Sequence, residues 1–404
     1  MKYLFILGRN VELSLAEIFS YFERKGNKIK NYEIKKNAVL IDLEKPISKI
    51  IDNFGGVISI GEVSCEGAPQ AYTASLKLPA QEPLRGPEKS SKKIFTEGKK
   101  ELISLLEKKE LYLGTKNKFN YCLWDFSKYE FVVEISGYLK KRFRSEKLKA
   151  VQKTLTGKIN LQSGEKAQKV GSKLIEEEFF LFGEEKLYFG RIVEKCDYEN
   201  LEKRDMSRPV RRESLSISPR LAKIMINLSQ VRKNGKLLDS FCGVGVILQE
   251  ALLQEIEVIG IDKDKKAIKG SKENLKFLNF AEEKYKLINW DSSTAKINEV
   301  NVLVTEPNLG ETLKKIPTKE KAKKMLKNYE NLMIKVLSNL SNLVLGKIVF
   351  TAPFIRIGKK RLSCDIERIL RKTDLKLSSV KDIKFPIPEF RGNQIVGREI
   401  FVLD

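Results

Sequence analysis

The stretch at 237–253, LLDSFCGVGVILQEALL, constrains this chain more than any other. An apolar run ends in Asp239, a short turn carries glycines at 243 and 245, and an amphipathic run follows with Ile247, Leu248, Ala251 and Leu252. That order predicts strand, turn and helix. Gly243 and Gly245 let the backbone take positive φ and come close to a bound molecule, where a Cβ would clash. Asp239, at the strand's end, offers an acceptor to a cationic or hydroxyl-bearing group.

The run at 257–261 predicts a short buried strand ending in Asp262, seventeen residues after Gly245. An acid there is the usual partner of two ribose hydroxyls in a doubly wound α/β sheet. Two cofactors compete for the geometry. A dinucleotide needs Gly-x-Gly-x-x-Gly with its pyrophosphate on the helix N-terminus, and the third position here is Leu248. S-adenosylmethionine carries no phosphate and tolerates that side chain. An ordinary strand–helix–strand crossover without a ligand is the plainer alternative.

The chain has 404 residues, of which 42% are hydrophobic, enough for two or three domains with real cores. No apolar run reaches the roughly 18 residues of a membrane helix. The start, MKYLFILGRN, lacks the apolar stretch and small-residue cleavage site of a secretory signal, so a cytoplasmic location is expected. Cysteines at 65, 122, 196, 242 and 364 form no Cys-x-x-Cys, and there is no histidine. Disulfides and structural zinc are disfavoured, no metal site is expected, and imidazole is excluded as a general base. Lysine and arginine number 76 against 53 acids, a formal charge of +23. A polyanion, nucleic acid first, is the implied partner, although a lysine-rich surface kept for solubility gives the same count.

Residues 1–65 predict a small α+β unit with strands at 3–7, 28–34, 38–43 and 57–63 and a helix at 13–24, an order that suggests a ferredoxin-like fold. The stretch 66–91 holds four of the chain's twelve prolines with no helical or strand period. It predicts a linker or long loop, alternatively a loop that orders on RNA. A further domain is expected over 92–195. Its best-defined element is a helix over 129–144 with Val132, Val133, Ile135 and Leu139 inward. Lys140, Lys141, Arg142, Arg144, Lys147, Lys149, Lys153 and Lys158 stand against Glu146 alone, beside a strand at 148–152. Such a strip supplies salt-sensitive affinity for phosphates, or is simply a solvated face. Runs at 179–182 and 187–193 close the domain as a hairpin.

The segment 195–218 is polar and includes RPVRR at 208–212. A helix capped by Ser218, with Pro219 in its first turn, places Leu221, Ile224, Met225 and Leu228 on one side. After Asp262 the pattern predicts a helix over 265–278, strands at 286–289, 301–305, 347–351, 375–380 and 395–403, and a long helix opened by Pro317 and Thr318. The alternation means α/β with a mostly parallel sheet. The chemistry is expected just past the strand at 301–305, at TEPNLG, because ligands in open α/β sheets bind beyond the carboxyl ends of strands. Glu306 and the carbonyl of Pro307 could both accept hydrogen bonds from an exocyclic amine and aim its lone pair at a methyl group held in line. A strand-end turn with a solvated Glu306 is the alternative.

The segments GRIVEKCDYENLEKRDMSRPVRR, SPRLAKIMINL, LLDSFCGVGVILQEAL and FPIPEFRGNQIVGREIFVL, in that order, resemble the tRNA guanine-10 N2-methyltransferase family. Members join an RNA-binding THUMP domain to a Rossmann-like class I methyltransferase domain, and YLFILGRNVELSLAEI resembles the small ferredoxin-like domain that precedes THUMP. The resemblance implies domains at 1–65 (ferredoxin-like), 92–195 (THUMP-like) and 205–404 (methyltransferase), S-adenosylmethionine as cofactor and tRNA as partner. It gives Asp239, Gly243 and Gly245, with Phe241 and Cys242 in the same turn, to the methionine end of the cofactor, Asp262 to its ribose and Asp291 to its adenine. The family's catalytic motif is Asp, Asn or Ser, then Pro-Pro, then Tyr or Phe. Here Glu306 is one methylene longer, Pro307 is kept, Asn308 replaces the second proline and Leu309 replaces the aromatic residue; Glu306, Pro307 and Asn308 are the expected catalytic group. Other RNA targets or atoms, and a tRNA-binding protein without catalysis, stay open. No sequence feature identifies a small activating subunit.

Overall fold

A computed structural model of the chain describes residues 1–67, 100–127, 132–155, 157–169, 174–183, 186–212, 217–311, 313–392 and 394–404. They divide into two compact units. The first comprises Met1–Arg9, Ile29–Ile51 and Val57–Cys196, the second Asn10–Lys28, Asp52–Gly56 and Asp197–Asp404.

The first unit is built on one sheet. Its strands are β1 (Lys2–Leu7), β2 (Ile29–Lys35), β3 (Ala38–Leu43), β4 (Val57–Gly67), β5 (Lys118–Ser127), β6 (Lys149–Gln152), β9 (Glu177–Gly183) and β10 (Leu187–Lys195), in the order β2-β3-β1-β4-β10-β9-β5-β6; β7 (Gly157–Asn160) and β8 (Lys166–Lys169) form a separate hairpin that the sequence pattern does not announce. Strands from both expected N-terminal domains therefore share hydrogen bonds, through the β4–β10 ladder. The expected linker lies outside the described residues except for Glu66 and Gly67, which end β4.

A helix at 100–107 (α2) and α3 (Val132–Ser145) belong to the same unit. Ile135, Leu139 and Phe143 form the buried stripe of α3, at i, i+4 and i+8. Val133, expected inward, is 73% exposed, because a stripe through Ile135 turns its neighbour two residues away to the other side. The basic strip is exposed, with one exception. Arg142 pairs with Glu146 and donates to the carbonyls of Leu106, Glu107 and Lys109 at 3.3, 3.0 and 3.2 Å, closing the C-terminal end of α2.

The second unit carries a seven-stranded path: β13 (Tyr285–Asn289), β12 (Glu257–Asp262), β11 (Lys236–Asp239), β14 (Val302–Thr305), β15 (Ile348–Ile357), β20 (Val396–Leu403) and β19 (Ile387–Glu389). Ladders from β13 to β15 are parallel, and β20 and β19 add antiparallel strands. The segment expected as a strand at 375–380 contributes only Ser379–Val380 (β17), which pairs with β18 (Ile383–Lys384) outside this sheet. Leu377 still bridges Leu403.

Helices of this unit have local sequence causes. Asn10 caps α1 (Val11–Arg24), Asp197 caps α4 (Tyr198–Met206), Ser218 caps α5 (Pro219–Leu228), Asp264 caps α7 (Lys265–Phe277) and Thr318 caps α8 (Lys319–Leu340), each by a side-chain oxygen that accepts a backbone N–H of the first turn. Leu326, Tyr329, Met333, Val336, Leu337 and Leu340 of α8 join the core under β14 and β15. The parallel strands thereby hold their carboxyl ends together at one edge, where the turn after β11 and the loop after β14 emerge. No helix among the described residues is long and apolar enough to cross a membrane.

Candidate active site

β11 ends in Asp239, which is 1% exposed. Its Oδ1 accepts the Thr305 hydroxyl at 2.7 Å and the Phe241 N–H at 3.2 Å, so the end of β14 and the turn after β11 are tied to one carboxylate. Burial pushes that carboxyl up to about 7, and the charges of Asp262 and Glu306 push the same way. In the turn, Gly243 takes φ +52° with open space where a Cβ would stand, and Gly245 takes φ +85° as it caps α6 (Val246–Leu252). A Cβ on Gly245 would lie 2.5 Å from Ser271 Oγ. Gly243 thus leaves a backbone surface bare for a ligand, whereas Gly245 shapes the turn from beneath.

Asp262, at the end of β12, accepts the Gly243 N–H on Oδ2 at 3.0 Å and the Asp264 N–H on Oδ1 at 2.8 Å. It fixes the glycine turn as well as facing the cleft. Asp291 lies two residues beyond β13; hydrogen bonds from the Ser293 hydroxyl and N–H hold its carboxyl below the ordinary range. These elements enclose a cleft of about 320 Å³ whose lining includes Asp239, Phe241, Cys242, Gly243, Asp262, Asp291, Glu306 and Asn308. Of the expected site residues, Gly245 and Pro307 do not line it. Sequence reasoning missed Arg212, Ile217, Ser240, Lys263, Asp264 and Leu332, which do. Arg212 had a signal in RPVRR; it donates to Asp264 at 2.6 Å.

The expected catalytic loop departs from a free acceptor. Glu306 is no solvated carboxylate: its side chain is 7% exposed, and Oε1 accepts Arg398 Nε at 2.5 Å and the Thr351 hydroxyl at 3.3 Å, with Arg398 Nη2 3.4 Å from Oε2. Arg398 comes from β20, ninety-two residues away, too far for local pattern to reveal. Asn308 turns its side-chain oxygen to the Gly310 N–H at 2.9 Å. Leu309 packs against the core beside α8 rather than lining the cleft.

Acids outnumber bases along the lining: Asp239, Asp262, Asp264, Asp291 and Glu306 against Arg212 and Lys263. Such a cleft favours a cationic ligand over a pyrophosphate. Burial pushes the Cys242 thiol well up, so it is not a thiolate nucleophile. Among the described residues, no group of three His, Cys, Asp or Glu is placed to hold a metal ion.

Residues 207–349 match the family model described as RMKL-like, methyltransferase domain. The chain is 34% identical over 139 residues to a tRNA (guanine(10)-N2)-dimethyltransferase of Methanothermobacter thermautotrophicus, covering 34% of this chain and 39% of that protein. It is 29% identical over 170 residues to the protein of the same name from Methanocaldococcus jannaschii, covering 40% and 47%. The chain thus spans less than half the length of these two relatives. In fold it is similar to the crystal structure of TrmN from Thermus thermophilus, with TM-score 0.54 and 12% identity over 100% of this chain and 99% of that one. The second unit therefore carries a mixed α/β, Rossmann-like methyltransferase fold, and the cofactor of that class is S-adenosylmethionine.

Proposed function

We propose that this chain is a cytoplasmic tRNA methyltransferase that uses S-adenosylmethionine and acts on a guanine N2 amine, position 10 by resemblance to its relatives. The observation that carries the reading is the convergence of the bare glycine turn, Asp262 and Glu306 on one acidic cleft at the carboxyl ends of parallel strands. The cleft suits the cofactor: Gly243 leaves room above its backbone, Asp239 offers a carboxylate to the cationic methionine end, Asp262 offers one to the ribose hydroxyls, and no phosphate has to face them. Asp239, Phe241, Cys242 and Gly243 would hold the methionine end, with Gly245 fixing the turn, Asp262 the ribose hydroxyls and Asp291 the adenine.

When bound, the cofactor supplies an electrophilic methyl group. Glu306 and the carbonyl of Pro307 accept hydrogen bonds from the guanine amine and aim its lone pair, with Asn308 beside the base edge. Arg398 holds the Glu306 carboxylate in one orientation while leaving it lone pairs to accept with. The first unit supplies RNA affinity through the exposed lysines beside α3 and β6. The antiparallel order β2-β3-β1-β4 supports a ferredoxin-like arrangement at 1–65, followed by a THUMP-like part over 92–195 and the methyltransferase part over 205–404.

Mass spectrometry of tRNA incubated with the protein and methyl-labelled cofactor tests the reading. Label is expected on a guanine amine, as one or two methyl groups; label on another nucleoside would move the target. The buried, Arg398-bound Glu306 and the inward Leu309 favour, as a second reading, a protein that holds cofactor and tRNA without transfer. Calorimetric binding of the cofactor with no label in any tRNA would select it.

A further inference from the structure

β15 continues past the parallel part of its sheet. Thr305, the last residue of β14, pairs with Phe350, so residues 351–357 overhang on the side where Glu306 leaves β14. There residues 354–357 pair with β16 (Lys360–Ser363) through a two-residue turn, with Gly358 at φ +58° where such hairpins use glycine. The register sets Arg356 directly opposite Arg361. Like charges in that position repel, and burial together with the Arg356 charge holds the Arg361 guanidinium below its ordinary range. Among the described residues neither guanidinium has an ion-pair partner, and Arg356 Nε and Arg361 Nη1 are shielded from water without an acceptor. Arg361 is nevertheless held firmly: its guanidinium lies 4.6 Å from the Phe354 ring and 4.0 Å from the Phe390 ring. Gly397 makes room for Phe354, because a Cβ there would meet that ring at 2.4 Å. On the same face Glu399 takes the Ser363 hydroxyl at 2.8 Å, and burial raises its carboxyl, which weakens it as a counter-ion.

We propose that the Arg356–Arg361 pair is a phosphate site that grips the RNA backbone beside the target nucleotide. A guanidinium fork matches a phosphodiester, and a bound anion would relieve a repulsion that Arg356 now meets with a neutral acceptor, the Gly392 carbonyl 3.4 Å from its Nη1. Both side chains keep part of their surface in water, so the unstacked edges can reach an anion. Arg356 is five residues beyond Thr351, which touches Glu306. At roughly 3.3 Å per residue that is about 17 Å, within the span of a few nucleotides from a base at Glu306. The exposed Lys359 and Lys360 at the turn extend the positive edge. This deepens the proposed function, since it rests on RNA being the substrate.

The test measures binding of unfractionated tRNA to the full chain against salt concentration, without methyl transfer. Arg356→Gln with Arg361→Gln should weaken binding and flatten the slope of log affinity against log salt by about 0.7–0.9 for each phosphate that is no longer neutralised. Arg356→Gln alone, which leaves the aromatic stack intact, should lose part of that slope, and Arg356→Lys with Arg361→Lys should regain most of it. Calorimetric cofactor binding at parental strength checks the fold. An unchanged slope in the Gln variants, or Lys variants as impaired as the Gln ones, overturns the site. Displacement of the tRNA by inorganic phosphate at constant ionic strength, as effective as displacement by tRNA itself, also overturns it in favour of a site for a free anion. A flattened slope in a protein that methylates no tRNA leaves the site standing and sinks the enzyme reading; methylation with an unchanged slope does the reverse.

Discussion

Two carboxyls of the second unit, Glu17 on α1 and Asp239 on β11, are both buried and both pushed up to about 7 by that burial. Their surroundings differ. Glu17 accepts Gly55 N–H and Asn227 Nδ2 on Oε1 at 2.7 and 2.9 Å, and Gly56 N–H on Oε2 at 2.7 Å. A Cβ on Gly56 would meet Ser14 Oγ at 2.5 Å, so no space is left around it. Asp239 instead shows two donors to Oδ1 and faces a cleft. A raised pKa marks burial in both; only the open side marks a place for a ligand.

Removing Glu17 should have the largest effect on the fold. Glu17→Ala takes the acceptor from the Gly55 and Gly56 N–H groups and one of two acceptors from Asn227 Nδ2, which keeps the Asn53 carbonyl at 2.8 Å, and an unmet buried donor costs about 1–3 kcal/mol. A loss on the order of 3 kcal/mol or more is expected in chemical denaturation, while calorimetry on the protein still folded should give parental cofactor affinity. A weakened cofactor site with an intact denaturation midpoint would erase the distinction between the two acids.

Asp262→Ala should act on the open side. On the proposed assignment two ribose hydroxyls lose a charged acceptor worth about 1.5–3 kcal/mol each, so cofactor affinity should fall by about 100-fold or more. The variant also frees the Gly243 and Asp264 N–H groups that Asp262 now holds, so part of the loss comes from a loosened turn. Asp262→Asn, which keeps acceptor oxygen for one of them, should recover a fraction. Parental binding by Asp262→Ala would move the ribose elsewhere.

The contrast explains what was legible beforehand. Asp239, Gly243, Gly245 and Asp262 lie within twenty-four residues of one another, and local chemistry suffices there: apolar run, glycine turn, acid at a strand's end. Caps were legible for the same reason at Ser218 and Thr318. Asp197 offered the same signal for α4, but that helix buries no residue and so shows no apolar period. Nothing local joins Glu17 to Asn227, two hundred and ten residues away, or places α1 with the second unit. Arg398 was likewise hidden, and with it the fact that Glu306 is held rather than solvated.

That hidden pair gives a smaller effect at the reacting end. Glu306→Gln keeps shape but replaces a charged acceptor with an amide, and should slow methyl transfer by about 10- to 100-fold, roughly 1.4–2.7 kcal/mol of barrier. Arg398→Gln should lower the rate in the same range by loosening Glu306, and Arg398→Lys should restore part of it, with tRNA and cofactor affinities near parental. Leu309→Tyr tests whether the inward leucine limits the rate; a gain is expected only if the new ring leaves the core for the cleft. Full activity in Glu306→Gln would show that this loop is not where the methyl group is transferred.

The smallest effect is the one that pH should pull in opposite directions on fold and ligand. Both acids have folded values above their ordinary 4.5 and 3.8, so the unfolded chain releases these protons first as pH rises. The stability they contribute is present below about pH 4 and declines towards pH 7, because ionising them in the fold costs desolvation. A cationic ligand at Asp239 reverses the sign for binding, since it needs the ionised carboxylate. With a value near 7, the ionised fraction rises about eightfold between roughly pH 6 and 7.5, and cofactor affinity should rise by up to that factor. The window stops short of the cofactor's own amino group, which titrates at about 7.7–8.0. Glu17 is sealed away from the cleft and should add nothing to this slope. Asp239→Asn should therefore bind more weakly at pH 7.5 and with a flat profile, measured by calorimetry at both ends of the window. A profile equally steep in Asp239→Asn would assign the titration to another group and remove Asp239 from the cation's contacts.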